Sequence, residues 1–130
     1  NKFDGGLLTF DYGYTTKKNQ NTLQSVKKHK CTNIFSMPHH SDITSHLNFK
    51  LFHEILKKNN LNVEKITTQN EFLKKIGILE RANILSKKMT FKEKANMFYR
   101  LKRLMDYREM GSLFKVLFAQ KKGRKFSLGF

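Results

Sequence analysis

Cysteine occurs once in these 130 residues, at Cys31, proline once, at Pro38, and tryptophan not at all. A lone cysteine excludes a disulfide framework within the chain and points to a reducing compartment. Acidic residues are scarce, 10 against 26 Lys and Arg, which leaves a formal net charge of +16. No apolar run approaches the length of a membrane span, and the first residues carry no signal-peptide pattern. The seven glycines form no G-x-G, so a phosphate or dinucleotide loop is absent from this stretch. Any cofactor loop would lie outside it. There is no G-x-S-x-G elbow, and Cys31 has no identifiable base, which argues against nucleophilic catalysis. Cys31, His39, His40, Asp42 and His46 lie close in sequence, but neither H-E-x-x-H nor C-x-x-C spacing occurs, so no metal site is expected.

The basic excess admits a nucleic-acid partner or an anionic surface. Its distribution is diffuse, however, as solvated helix faces would have it. Lys, Asn and Ile are abundant together, as in proteins translated from AT-rich genomes. A binding footprint should cluster on one face or stripe.

What is present begins with residues 5–14, GGLLTFDYGY. Leu7 to Phe10 read as a buried strand, and Asp-Tyr-Gly as the turn that ends it. Asp11 and Tyr12 then stand at a strand's carboxyl end, where open α/β sheets bind ligands. An apolar strand so near the first residue, Asn1, needs neighbours to cover it. The expectation is a piece of a longer protein. Residues 15–22 read as a polar loop. Residues 22–26 suggest a short helix or turn, and 30–37 a weak strand stopped by Pro38. Residues 39–42 read as a turn and 43–48 as a further strand.

Four helices follow. Phe49, Phe52, Ile55 and Leu56 share a helical stripe, with Asn48 as N-cap and Asn59-Asn60 as stop. Thr68 to Glu71 form a capping box, and Gly77 suits a left-handed terminus. A third helix runs over 79–87. The fourth opens on a second capping box, Thr90 to Glu93. Its stripe of Phe91, Ala95, Phe98, Leu101 and Met105 reads as core. Residues 113–119, LFKVLFA, interrupted only by Lys115, read as a final strand after a Met110-Gly111 turn. The basic tail from Gln120 reads as loose. Strands at both ends with helices between them give a mixed sheet packed by helices.

These blocks resemble, in order, the MidA-like family of methyltransferases that use S-adenosylmethionine. The family includes a mitochondrial complex I assembly arginine methyltransferase and bacterial relatives. Its GG-x-x-L-x-x-DYG is matched by Gly5 to Gly13. Its D-T-L-like segment and histidine are matched by Asn21-Thr22-Leu23 and His29. Its PG-x-x-D-x-T-x-x-VDF is matched by Pro38 to Phe49, its T-Q-x-x-FL-x-x-x-GI-x-x-R by Thr68 to Arg81, and its MG-x-x-FKVL by Met110 to Leu117. Three departures stand out: His39 for glycine, and Asn48 and Asn21 for aspartates.

The resemblance implies the C-terminal part of a class I, Rossmann-like α/β methyltransferase fold, a mixed sheet with a helical insertion. Residues 1–130 would be part of one domain, with the S-adenosylmethionine cradle upstream. It further implies methyl transfer to a protein side-chain nitrogen, arginine-like. Asp11 and Asp42 would be catalytic, and Tyr12, Thr44 and Gln69 would bind substrate, all converging at one end of the sheet. The implied partner is a protein, such as a respiratory complex subunit, with a homodimer allowed and neither nucleic acid nor membrane span expected. The implied compartment is the bacterial cytoplasm or the mitochondrial matrix. Two rival readings remain, a basic nucleic-acid-binding module and a non-catalytic interaction fragment.

Overall fold

The computed structural model describes residues 5–18, 20–28, 30–35, 40–123, 126 and 128–130. Pro38 and His39, read as the end of one strand and the start of a turn, lie outside the described residues, as does His29. The strands are β1 (Gly6–Tyr14), β2 (Gln24–Lys27), β3 (Lys30–Thr32), β4 (Asp42–Thr44), β5 (Leu47–Asn48), β6 (Leu61–Val63), β7 (Thr67–Thr68) and β8 (Phe114–Lys121). The helices are α1 (Phe49–Lys58), α2 (Gln69–Lys75), α3 (Ile78–Ser86), α4 (Phe91–Met105) and α5 (Met110–Leu113).

Two sheets result. The larger runs β5-β1-β8-β6, with β7 also on β8, and the smaller is β3-β2-β4. β1 pairs antiparallel with β8 from Gly6 to Tyr12, while β5 runs parallel to it beside Gly13 and Tyr14. The fold is therefore a mixed α/β sheet, as the strand pattern implied.

β1 does not stop at Phe10. It continues through Asp11, Tyr12 and Gly13, because β8 offers Lys115 and Phe114 as partners and β5 holds the other edge. Residues 22–26 form neither helix nor turn, since Gln24 to Val26 are paired into a ladder by β4.

Alternation puts Leu8, Phe10 and Tyr12 on one face of the sheet, opposite Phe118, Val116 and Phe114. That face meets α2, where the Phe10 and Phe72 rings are 5.1 Å apart. The other face meets α1, where Phe49 and Leu56 pack with Val63, Leu117 and Ala119. Leu7, Leu8 and Phe10 nevertheless stay 40–48% exposed.

The helix starts follow the sequence closely. The Asn48 side chain accepts from the Leu51 N–H, and both capping boxes close in both directions. Gly77 adopts φ +83° after α2. α4 departs from expectation. Of its stripe, Met105 is buried, whereas Phe91 is 88% and Phe98 42% exposed. Only the far end of α4 reaches α2 and α5. There the Gln69 Nε2 donates to the Leu104 carbonyl at 2.8 Å and the Asn70 Nδ2 donates to the Met105 carbonyl. Two side-chain amides of α2 thus satisfy carbonyls that the end of α4 would leave open. The described residues of the tail are not loose either. Gln120 is buried and donates to the Phe126 carbonyl at 2.8 Å. The Phe130 ring lies 5.2 Å from Phe72 and 5.9 Å from Phe118.

The cap of α2 carries a pH signature. Hydrogen bonds from the Thr67 hydroxyl, then from the Thr68 backbone, hold the Glu71 carboxyl below its ordinary value of 4.5. A depressed folded value stabilises above the unfolded one and loses that contribution as pH falls through the folded one. Glu71→Gln should therefore flatten the fall of melting temperature below about pH 4.5 relative to wild type. Parallel acid melting curves would refute this role.

Candidate functional site

The end of β1, the start of β8 and the start of α2 meet at one end of the sheet. Lys115 stands opposite Asp11 on one side and Thr68 on the other. Thr68 caps α2, so Gln69 opens that helix at the same sheet end as Asp11. The Asp11 Oδ1 accepts a hydrogen bond from the Tyr12 backbone N–H at 2.8 Å. The Tyr12 ring packs on Phe114 at 4.5 Å between centroids and lies 6.3 Å from the His46 ring.

Asp42 and Thr44 belong to the small sheet. Asp42 is exposed, opposite Val26, and the Thr44 hydroxyl accepts from the Gln24 Nε2 at 3.2 Å. Two residues, Ser45 and His46, connect that strand to β5, whose Leu47 stands opposite Gly13. The Thr22 hydroxyl pins this connection by accepting from the His46 N–H at 2.9 Å. The structure brings Asp11, Tyr12 and Gln69 to one sheet end and sets the His46 ring beside Tyr12, two residues past Thr44. The Gln69 amide nitrogen is engaged by Leu104, as described for α4.

Two residues escaped the sequence reading. His46 has no signal in the sequence beyond its nearness to Cys31, His39, His40 and Asp42. Among the described residues no group of three or more His, Cys, Asp or Glu gathers to hold a metal ion. Lys115 had a visible signal, as the one charge inside an apolar strand. It is half-buried, its Nζ donates to the Ser112 carbonyl, and burial pulls its ammonium below the ordinary lysine value against an opposing pull from Glu71. A charge kept there at a desolvation cost needs nearby acceptors.

Chemically, the strand end offers a phenol and an imidazole on one face of the sheet and the Asp11 carboxylate on the other. A carboxylate holds a cationic or N–H-bearing group by charge-assisted hydrogen bonds. Phenol and imidazole can each donate or accept a proton.

Residues 1–67, which include β1, the small sheet and α1, match a protein family described as putative S-adenosyl-L-methionine-dependent methyltransferase. The chain belongs to this methyltransferase family. Its sequence is 28% identical over 116 residues to the mitochondrial protein arginine methyltransferase NDUFAF7 of Xenopus tropicalis, covering 88% of this chain and 26% of that protein. Its fold is similar to the native crystal structure of an uncharacterised superfamily protein from Burkholderia thailandensis, with TM-score 0.78 and 27% identity, over 97% of this chain and 35% of that one. It is equally similar to a Burkholderia thailandensis superfamily member bound to S-adenosyl-homocysteine, with TM-score 0.77 and 28% identity, over 96% of this chain and 34% of that one. The chain thus spans about a quarter of the Xenopus tropicalis protein and about a third of each crystal structure. No helix of its described residues is long and apolar enough to cross a membrane.

Proposed function

We propose that the protein carrying this chain transfers a methyl group from S-adenosylmethionine to a nitrogen on a protein side chain, arginine-like. The observation that carries this reading is the similarity of nearly the whole chain to a structure bound to S-adenosyl-homocysteine. The arginine-type acceptor is supported by the named activity of the Xenopus tropicalis relative. Residues 1–130 then form the C-terminal part of one methyltransferase domain, with the cofactor cradle in preceding residues. The sequence here has no G-x-G, and what it supplies is the acceptor side. In charge the strand end suits the group, because the Asp11 carboxylate is compatible with a sulfonium cation.

The cofactor, when bound, provides a methyl already activated by its sulfonium. The residues of this chain position and discharge the acceptor. Asp42 holds a cationic side chain by charge-assisted hydrogen bonds and the Thr44 hydroxyl orients it, while Gln69, buried and bonded to the Leu104 carbonyl, holds the end of α4 beside them. Asp11 relieves the nitrogen of charge as it reacts, with Tyr12 beside it. The acceptor is a protein, such as a respiratory complex subunit, and the setting is the mitochondrial matrix or a bacterial cytoplasm.

The test is labelled-methyl transfer by the full-length protein to its partner protein. Asp42→Asn keeps the shape and removes the charge, and kcat is expected to fall at least about tenfold, the equivalent of ~1.4 kcal/mol. Wild-type turnover by that variant removes Asp42 from the mechanism. A full-length protein that binds no S-adenosylmethionine overturns the methyltransferase reading itself.

A further inference from the structure

α3 and α4 leave a groove between them. Ile78, Ala82 and Leu85 recur along α3, and Met97, Leu101 and Leu104 recur along α4, each at helical spacing. They line a cleft of about 520 Å³. The helices do not close on each other, and Leu85 remains 44% exposed. The apolar surface continues past Leu101 into a second cleft beside Leu79 and Phe98, both more than 40% exposed.

The rim carries two guanidiniums against one carboxylate. Arg81 and Arg100 line the cleft, are exposed, and make no ion pair among the described residues. The carboxylate on the rim, Glu93, is committed to the cap of α4, where the Thr90 N–H and hydroxyl donate to it at 2.8 and 2.7 Å. A second copy of this chain is a poor occupant, since it would bring a formal charge of +16 against the same guanidiniums. A nucleic acid would leave the apolar floor unused. An amphipathic helix lays apolar anchors at i, i+3/i+4 and i+7 into such a floor, and carboxylates on its flanks suit the planar fork of arginine. Met97 gives the floor a side chain that adapts to the anchor.

We propose that the α3–α4 groove docks an amphipathic helix with an acidic polar face, supplied by a protein partner. The proposal does not rest on the methyltransferase reading, because no residue of the candidate site lines the groove.

The probe is a synthetic helical peptide with Leu on one face and Glu on the other, titrated into the full-length protein. Binding is expected to weaken with salt and to bring hydrogen-exchange protection within residues 78–104. The paired change Arg81→Glu and Arg100→Glu should raise the Kd at least about tenfold. Leu85→Lys should also weaken binding although it adds positive charge, which separates the apolar contribution from the electrostatic one. Unchanged melting temperatures would show that both variants fold. The proposal is overturned by equal binding of a matched peptide with Lys for Glu, or by wild-type affinity in the charge-reversed variant. It is equally overturned if the groove is already protected in the full-length protein, by its own residues or by a second copy.

Discussion

Phe49→Ala is expected to lower the unfolding free energy by about 3–5 kcal/mol, the usual cost of emptying a large aromatic site in a core. Phe49 is fully buried, and it opens α1 directly against the sheet. It packs with Leu56 of its own helix, Val63 of β6, and Leu117 and Ala119 of β8. One side chain therefore joins a helix to two strands. Against a typical total of about 5–15 kcal/mol, such a loss leaves a marginal protein. Urea unfolding of the full-length protein measures it as a lower midpoint at unchanged slope. A loss below about 1 kcal/mol would mean that the Phe49 site collapses freely, contrary to the close-packed interior described here.

The second large effect sits on the same contact. A Cβ at Gly13 would lie 2.4 Å from the Phe49 ring and 2.5 Å from the Leu47 carbonyl oxygen. Gly13→Ala should thus cost about 1–3 kcal/mol or more, the range for overpacking a filled interior. The upper part of that range is expected because one obstacle is backbone. Phe49 can swing aside, but the Leu47 carbonyl belongs to the strand that pairs with β1 at this residue. The double variant with Phe49→Ala should recover part of the loss and never all of it, a coupling that a double-mutant cycle reads directly. The proposed methyl transfer should fall with stability. Gly13 follows Tyr12, and moving β5 away moves the His46 ring that faces Tyr12. Additive losses in the cycle would show that the ring and the glycine do not meet.

Local chemistry was readable in the chain. Asn48, Thr68 and Thr90 announced three helix starts, because a cap is made by residues three apart and needs nothing distant. Gly77 announced a stop for the same reason. The short strands β6 and β7 were not readable, since each exists only where β8 offers an edge, and two or three residues have no period of their own. The length of β1 was misread because Asp-Tyr-Gly is a good turn in isolation and a good strand when paired on both sides. Of the candidate site, Asp11 and Tyr12 stood out by their place at the end of an apolar run. His46 did not, because nothing local marks which residue will face it, and Lys115 shows only as a lone charge within an apolar strand.

By itself, then, the sequence determined the capped starts of three helices, the presence of the two long strands, the order of blocks that marks the family, and the charge that makes the surface basic. These depend on side chains within one or two turns, or on composition. The tertiary structure alone decided that β8 runs antiparallel between β1 and β6. It also decided that the stripe of α4 stays largely open, that the last residues fold back on Phe72 and Phe118, and that Tyr12 meets His46. Those outcomes depend on contacts between residues tens of positions apart, and a contact of that kind is fixed by what else competes for the same surface.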